Sequence, residues 1–313
     1  MAYSEERPGK KPFGKGRAAG GAQKGNYAEK RPYRGAGSPA LGKPRYEKGT
    51  VKREERAPGG TPESDSVGNG AVIGRNAVRE LLRSGRPVDK LLVQSGEREG
   101  ALIPIVGEAI AKGIPVVETE RRKLDAISGF APHQGVIAMA AEKEYCTVED
   151  ILAIARERGE KPLIVIADGI CDPYNLGAII RCAEGCGAHG LILPKRHAAG
   201  LSPLVTKASA GAIEHLAIAK VSNISSTIEE LKKEGLWIFA AEAGGEDFYA
   251  TDMSVPAAIV LGSEGDGVSE LVRRRSDYVV SIPMYGKVNS FNVSTAAAVL
   301  LCEAARQQRT PKN

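Results

Sequence analysis

Five consecutive apolar residues, Leu163-Ile164-Val165-Ile166-Ala167, end on Asp168 and run into the polar, glycine-bearing stretch DGICDPYN. A short, continuously apolar run rich in Ile and Val suits a strand buried on both faces, as in a parallel sheet covered by helices. The alternation then repeats. A helix is predicted over 177–187, a strand at GLILP (190–194), a helix over about 203–213 and a strand at AIAKV (217–221). Ser226 and Glu229 have the spacing of a capping box before the helix IEELKKEG. Strands follow at 236–243 and 257–262, then a short helix near 268–275, a strand over 278–283 and a last helix over about 292–308. Strands separated by helices predict an α/β fold: a doubly wound parallel sheet whose ligands bind beyond the C-terminal strand ends. Three loops fall at such ends, DGICDPYNLGAIIR, LGSEGDGVS and IPMYGKVNSFNVS.

Upstream, order is expected to begin near Val72. RNAVRELLRSG places Ala77, Val78, Leu81 and Leu82 on one helical face, with Gly85 able to close the helix. Strand and helix patterns then alternate to about 142, predicting a small α/β domain over 70–142. A charged linker with a helical middle is expected over 143–161, docked on one of the domains, and the main domain over 162–308.

Residues 1–68 are different in kind. They are rich in Gly, Pro, Lys and Arg, with isolated Phe13, Tyr27, Tyr33 and Tyr46. Such a segment buries too little apolar surface to offset the entropy of ordering, so a disordered basic tail is expected. It holds 15 Lys and Arg against 8 Asp and Glu, a charge of +7, while the rest of the chain carries −2. Cations interleaved with Tyr and Gly suit a polyanionic partner, RNA above all, through phosphate contacts and base stacking.

At 42% hydrophobic and 26% charged, the composition is that of a globular protein. No apolar run is long enough to span a membrane, and no secretory signal is expected. The five cysteines are odd in number and scattered, so reduced thiols in a cytoplasmic protein are expected, with Cys182 and Cys186 packing rather than binding metal.

The first loop carries Asn175, Gly177 and Arg181 in the spacing N-x-G-x-x-x-R. Asn175 falls where a helix cap is expected, and Gly177 permits close approach of a backbone or a ligand. Arg181, on an apolar helix, should reach a carboxylate or face a phosphate. In the second loop Glu264 could cap the next helix, position a ligand or pair with Arg181. Its G-x-x-G-x-G spacing fits neither a dinucleotide fingerprint nor a P-loop. In the third, Asn289, Ser290 and Asn292 cluster before a helix rich in small residues. His133, in APHQG, reads as a turn or RNA-contact residue.

Taken in order, these three loops resemble the three motifs of the SpoU/TrmH family of RNA ribose methyltransferases, of the SPOUT superfamily, over about 162–308. IGRNAVRELL and APHQGVIA are similar to the small substrate-binding domain of the ribosomal-RNA members. The resemblance implies a SPOUT-type sheet with a C-terminal trefoil knot, S-adenosylmethionine bound in the knot, and a homodimer through the last helix. It implies methylation of a ribose 2′-hydroxyl, in a guanosine of large-subunit (23S) ribosomal RNA. The other readings are a transfer-RNA 2′-O-methyltransferase and a non-catalytic ribosomal-RNA-binding or assembly protein. By motif match Arg181 lies nearest the chemistry, Asn175 and Ser290 position Arg181 or the substrate, Glu264 orients Arg181 or neighbouring backbone, and Asn292 shapes the donor loop. Donor contacts are expected from backbone at Gly262, Ile282 and Phe291. Phe291 departs from the family's usual leucine, and its ring could stack on the adenine or narrow the pocket.

Overall fold

A computed structural model describes residues 70–96 and 100–310. The basic segment 1–68 lies outside the described residues.

The small domain is a four-stranded sheet in the order β1-β4-β2-β3. Its strands are β1 (Ala71–Ile73), β2 (Val88–Gln94), β3 (Val116–Thr119) and β4 (Val136–Ala140). Its helices are α1 (Arg75–Ser84), α2 (Ile103–Ala111) and α3 (Arg121–Ile127). The sheet is mixed: β4 runs antiparallel to β1 and β2, while β2 and β3 are parallel. Ala77, Val78, Leu81 and Leu82 form the buried face of α1, and Gly85 closes the helix at φ 79°, as the sequence suggests. The strand at Ala71 had no signal of its own, being three residues long.

Helix α4 (Val148–Arg158) occupies the linker. Thr147 and Asp150 form a full capping box at its start, and Gly159 ends it at φ 64°. Ile151 and Leu152 dock on the larger domain, in one cluster with Ile164, Ile166 and Ile192.

The larger domain is a six-stranded sheet in the order β10-β8-β9-β5-β6-β7, with every pairing parallel. Its strands are β5 (Leu163–Ala167), β6 (Gly190–Pro194), β7 (Ala217–Val221), β8 (Trp237–Asp247), β9 (Ala257–Leu261) and β10 (Tyr278–Ser281). Between and after them lie α5 (Pro173–Gly185), α6 (Pro203–Ala208), α7 (Ile224–Lys233), α8 (Glu270–Arg275) and α9 (Val293–Arg309). β5 is central and wholly buried, and it shows why the apolar run is continuous. Leu163, Val165 and Ala167 join the layer with α5, α6 and α9, while Ile164 and Ile166 join the layer with α4, α7 and α8. Each such Leu, Ile or Val side chain contributes about 1.5–3 kcal/mol by leaving water.

Three local expectations are corrected. The cap of α5 is Asp172, whose Oδ2 accepts from Asn175 N at 2.8 Å, so Asn175 sits inside the first turn. The cap of α7 is Asn223, which leaves Ser226 within the helix instead of starting it. The helix expected over 203–213 stops at Ala208, and a 3-10 turn, Ala212–Glu214, follows. Gly177 permits the close approach that its place suggests: a Cβ there would lie 2.4 Å from Ala208 Cβ, so α5 and α6 meet through it.

The two domains touch along α1. His215 Nε2 lies 3.0 Å from Glu80 Oε2, and Arg86 Nη2 donates to Glu214 Oε1 at 3.0 Å. Burial raises the Glu214 carboxyl, against the pull of Arg86 and Lys143. Gly211, at φ 95°, lets the turn pass where a Cβ would meet Glu80 Cβ at 2.7 Å.

Candidate active site

The loops that follow β5, β8, β9 and β10 all leave the C-terminal ends of parallel strands, and they are bound to one another. Asp168 N donates to Leu261 O at 2.8 Å, and Asp168 Oδ2 accepts from Ser269 N at 2.9 Å. The loop after β9 folds back on itself through paired bonds between Ser263 and Gly267, at 3.0 and 3.1 Å. Gly262 makes this possible: a Cβ there would fall 2.0 Å from Gly267 C.

Asn175, Glu264 and Asn292 come together from three loops. Asn175 Nδ2 donates to Glu264 Oε1 at 2.7 Å. Asn292 Nδ2 donates to Asn175 Oδ1 at 2.9 Å and to Glu264 Oε1 at 2.8 Å. Asn292 Oδ1 caps α9, accepting from Ser294 N at 2.9 Å and from Ser294 Oγ at 2.6 Å. Asn175 is buried, so its amide must be satisfied, and these partners satisfy it. Glu264 Oε1 accepts both of its bonds, one from each asparagine.

Beside this network lies a cleft of about 710 Å³, lined by Gly262, Ile282, Phe291, Glu264, Ser290 and Asn292. Leu261, Val280 and Leu300 give it an apolar floor, while Glu242 and Asp266 bring carboxylates. Phe291 is 47% exposed at the edge. Ser290 is exposed and bonds through its side chain to no described residue.

Arg181 is elsewhere. It lines a second cleft with Asn76, Glu80, Glu184, Ser209 and His215, between α5 and the small domain, and the two clefts share no residue. Its exposed guanidinium has no hydrogen bond or salt bridge to another described residue. Glu264 and Asn175 bond to each other and to Asn292, and neither bonds to Arg181. Of the two sequence alternatives for Arg181, the carboxylate partner is not the one the structure provides.

Glu242 was missed from sequence. Its Oε2 is buried without a hydrogen-bond partner, 3.7 Å from Arg273 Nε, at the wall of the larger cleft. Its position at the C-terminal part of a parallel strand was the available signal. Cys186 packs against Cys302, with the sulfurs 3.4 Å apart, and burial together with that neighbouring thiol pushes Cys186 up to about 12, so it stays neutral. Among the described residues no cluster of three metal-ligating side chains occurs, and no helix is long and apolar enough to cross a membrane.

Residues 162–302 match the SpoU rRNA Methylase family, and residues 71–146 match the family described as RNA 2′-O ribose methyltransferase substrate binding. The TrmH family protein YacO of Bacillus subtilis is 42% identical over 238 residues, covering 76% of this chain and 95% of its own. Among solved structures, the SpoU methyltransferase AviRb from Streptomyces viridochromogenes, in complex with the cofactor AdoMet, superposes with a TM-score of 0.64 at 27% identity. That likeness covers 76% of this chain and 89% of AviRb. An AdoMet-bound rRNA methyltransferase from Sinorhizobium meliloti gives a TM-score of 0.62 at 25% identity, covering 75% of this chain and 86% of that one.

Proposed function

The chain belongs to the SpoU/TrmH family of RNA methyltransferases, and on that premise we propose that it moves the methyl group of S-adenosylmethionine onto a ribose 2′-hydroxyl, in a guanosine of large-subunit (23S) ribosomal RNA. The observation that carries this reading is the Asn175–Glu264–Asn292 network, which locks three strand-end loops around one cleft.

The cleft suits the donor. Its volume is within the range of small-ligand sites. The apolar floor suits an adenine ring and a thioether. The carboxylates of Glu242, whose Oε2 has only a 3.7 Å ion-pair contact with Arg273, and of Asp266 suit a molecule that bears ammonium and sulfonium charges. Gly262 and Ile282 would hold the donor through backbone groups, and Phe291 offers a ring for stacking.

Bound there, S-adenosylmethionine would supply an electrophilic methyl carbon on its sulfonium: the oxygen–methyl bond forms as the sulfur–methyl bond breaks, S-adenosylhomocysteine leaves, and the 2′-hydroxyl proton passes to solvent. The protein's part is orientation and charge. Arg181 is assigned no general-base role, because a guanidinium offers donors and no acceptor. It binds a phosphate flanking the target nucleotide and steers the 2′-hydroxyl. Ser290, at the open edge of the donor cleft, contacts the incoming ribose. Because the chemistry needs a 2′-hydroxyl, the substrate is RNA and not DNA.

The remaining family features belong to the same reading: a trefoil knot in the C-terminal segment, a homodimer through α9 and a cytoplasmic location. After edge strand β10 the chain returns to the sheet centre, where α9 packs on α5 and β9, and this course supports the knot. The separation of Arg181 from the donor cleft within one copy is a gap that a second copy can bridge. The small domain, matched over 71–146 to a family described as RNA substrate binding, resembles that of the ribosomal-RNA members, and this resemblance supports ribosomal over transfer RNA. The test is incubation with methyl-labelled donor and unmodified ribosomal RNA, with transfer RNA in parallel. Label at one large-subunit nucleotide is expected. Label in transfer RNA alone would overturn the substrate, and no label with measurable donor binding would overturn the activity on both RNAs.

A further inference from the structure

The ring of Phe130 stands 83% exposed in the turn between α3 and β4, on a backbone with φ of 61°. Both features are unfavourable: a large apolar side chain faces water, and a residue with a Cβ adopts the left-handed region. Gln134, in the same turn, has φ of 56°, and Gly129 and Gly135 are left-handed at 58° and 82°.

The turn is held from several sides. Phe130 N donates to Asp125 O at 2.7 Å, and Ala131 N to Ser128 O at 3.1 Å. His133 is a buried clamp: its Nδ1 accepts from Gly135 N at 3.0 Å, so Nε2 carries the proton toward Asp125 Oδ1 at 3.1 Å. Arg75 closes the frame, its backbone N donating to Gln134 Oε1 at 3.0 Å and its Nε to Gln134 O at 2.9 Å. Strain of this kind persists where surrounding bonds over-determine it, and it concentrates at functional sites. These bonds fix the backbone of the turn and leave the Phe130 ring facing out.

The helix before the turn carries both signs: Glu120 caps it, Asp125 lies within it, and three cations open it. Arg121, Arg122 and Lys123 open α3, all exposed. Arg121 makes only a long contact of 3.9 Å to Asp125, while Arg122 and Lys123 pair with no described carboxylate. The turn is also tied to the Arg181 cleft. Arg75 grips it, and Asn76 and Glu80 of the same helix line that cleft. Five residues of helix span about 7.5 Å.

We infer that the 129–135 turn is a stacking platform for an unpaired base of the RNA substrate, with Arg122 and Lys123 on neighbouring phosphates. The inference rests on the RNA methyltransferase reading and adds the small-domain residues that grip the strand. Stacking on an exposed ring is how proteins hold splayed or single-stranded nucleotides, and paired bases are not available for it.

The test uses the full chain, a labelled unpaired oligoadenylate and an RNA duplex of equal length, titrated across salt concentrations. Phe130→Ala is expected to weaken oligoadenylate binding about 5- to 150-fold without changing the salt slope, and to leave duplex binding unchanged. Phe130→Trp is expected to bind like wild type. Lys123→Ala is expected to reduce the salt slope by about 0.7. Phe130→Asn tolerates the left-handed backbone, so it is expected to lose binding with no fall in Tm, which separates contact from misfolding. Equal affinities for wild type and Phe130→Ala, or no binding of oligoadenylate by either, overturn the platform. An equal loss on duplex also overturns it and points to a non-stacking contact. Methyl transfer to ribosomal RNA that persists in Phe130→Ala alongside unchanged affinity removes only the platform, whereas no transfer by wild type strikes the RNA methyltransferase reading itself.

Discussion

Asn292 Nδ2 reaches Asn175 Oδ1 at 2.9 Å across 117 residues of sequence, and the same nitrogen donates to Glu264. One side chain thus caps α9 with its oxygen and ties the first and second loops with its nitrogen. Asn292→Asp separates these roles. The cap survives, because Asp caps as well as Asn. The donor to Glu264 is lost and a like charge takes its place. Tm is expected to fall, because the buried Asn175 Oδ1 loses its donor at a cost of about 1–3 kcal/mol, and methyl transfer falls about 100-fold through misplaced loops. Transfer should partly recover as the pH falls toward the carboxylate range, where protonating one of the two acids restores a donor. A pH–rate series on the variant checks this, and wild-type rates at neutral pH would contradict it.

Arg181 is exposed and makes no bond to a described residue, so its removal leaves no unpaired buried partner. Arg181→Ala is expected to hold stability within about 0.5 kcal/mol. Donor affinity should also hold, since Arg181 does not line the donor cleft. Methyl transfer is expected to drop by about 100-fold or more. Calorimetric donor titration beside single-turnover transfer separates these quantities.

A methyl group at position 262 has no room. Gly262→Ala places a Cβ 2.0 Å from Gly267 C and 2.2 Å from Val268 N, both of them backbone atoms. The expected loss is about 1–3 kcal/mol, with weaker donor binding as the loop shifts. Gly107→Ala is the matched control: it lies in helix α2, and a Cβ there meets nothing within 4 Å. It is expected to be stabilising by about 0.5–1 kcal/mol. Thermal melts of the two variants should move in opposite directions.

His189 gives stability a pH dependence. Its Nδ1 accepts from Leu163 N at 3.0 Å at the start of the central strand, and burial holds its pKa below the ordinary 6.5 despite Glu160. The folded state therefore resists a proton that the unfolded state accepts. Stability from this site is complete above about pH 6.5 and declines as the pH falls through the window below it. The slope from one such group is at most about 1.4 kcal/mol per pH unit. His189→Gln is expected to flatten that part of the Tm–pH curve, and an unchanged curve would reject the assignment.

The sheet was legible because β5 is apolar on both faces, and both faces are covered. Two of the functional loops were legible because each follows such a strand, β5 or β9, while the third follows edge strand β10, of which only Val280 is buried. Capping was read less well. Asn175 and Ser226 look like caps, but Asp172 and Asn223 lie three residues earlier and bind their backbone N–H groups. Several good capping residues in a row leave the choice to the tertiary path. The end of β8 was not legible either. β10 pairs first with Phe239 and Ala240, then jumps to Glu246 and Asp247, a register that no local pattern encodes. Contacts made at long range, Glu242 beside Arg273 and Glu80 beside His215, depend on how elements pack and carry no local signal.

The 2′-oxygen as acceptor is the centre of the account, and base hydrolysis of labelled RNA tests it directly. Alkaline cleavage of RNA proceeds through a free 2′-hydroxyl. After transfer from methyl-labelled S-adenosylmethionine to ribosomal RNA, the expected result is label retained in one alkali-resistant dinucleotide. Label released with ordinary mononucleotides would place the methyl group on a base and contradict it.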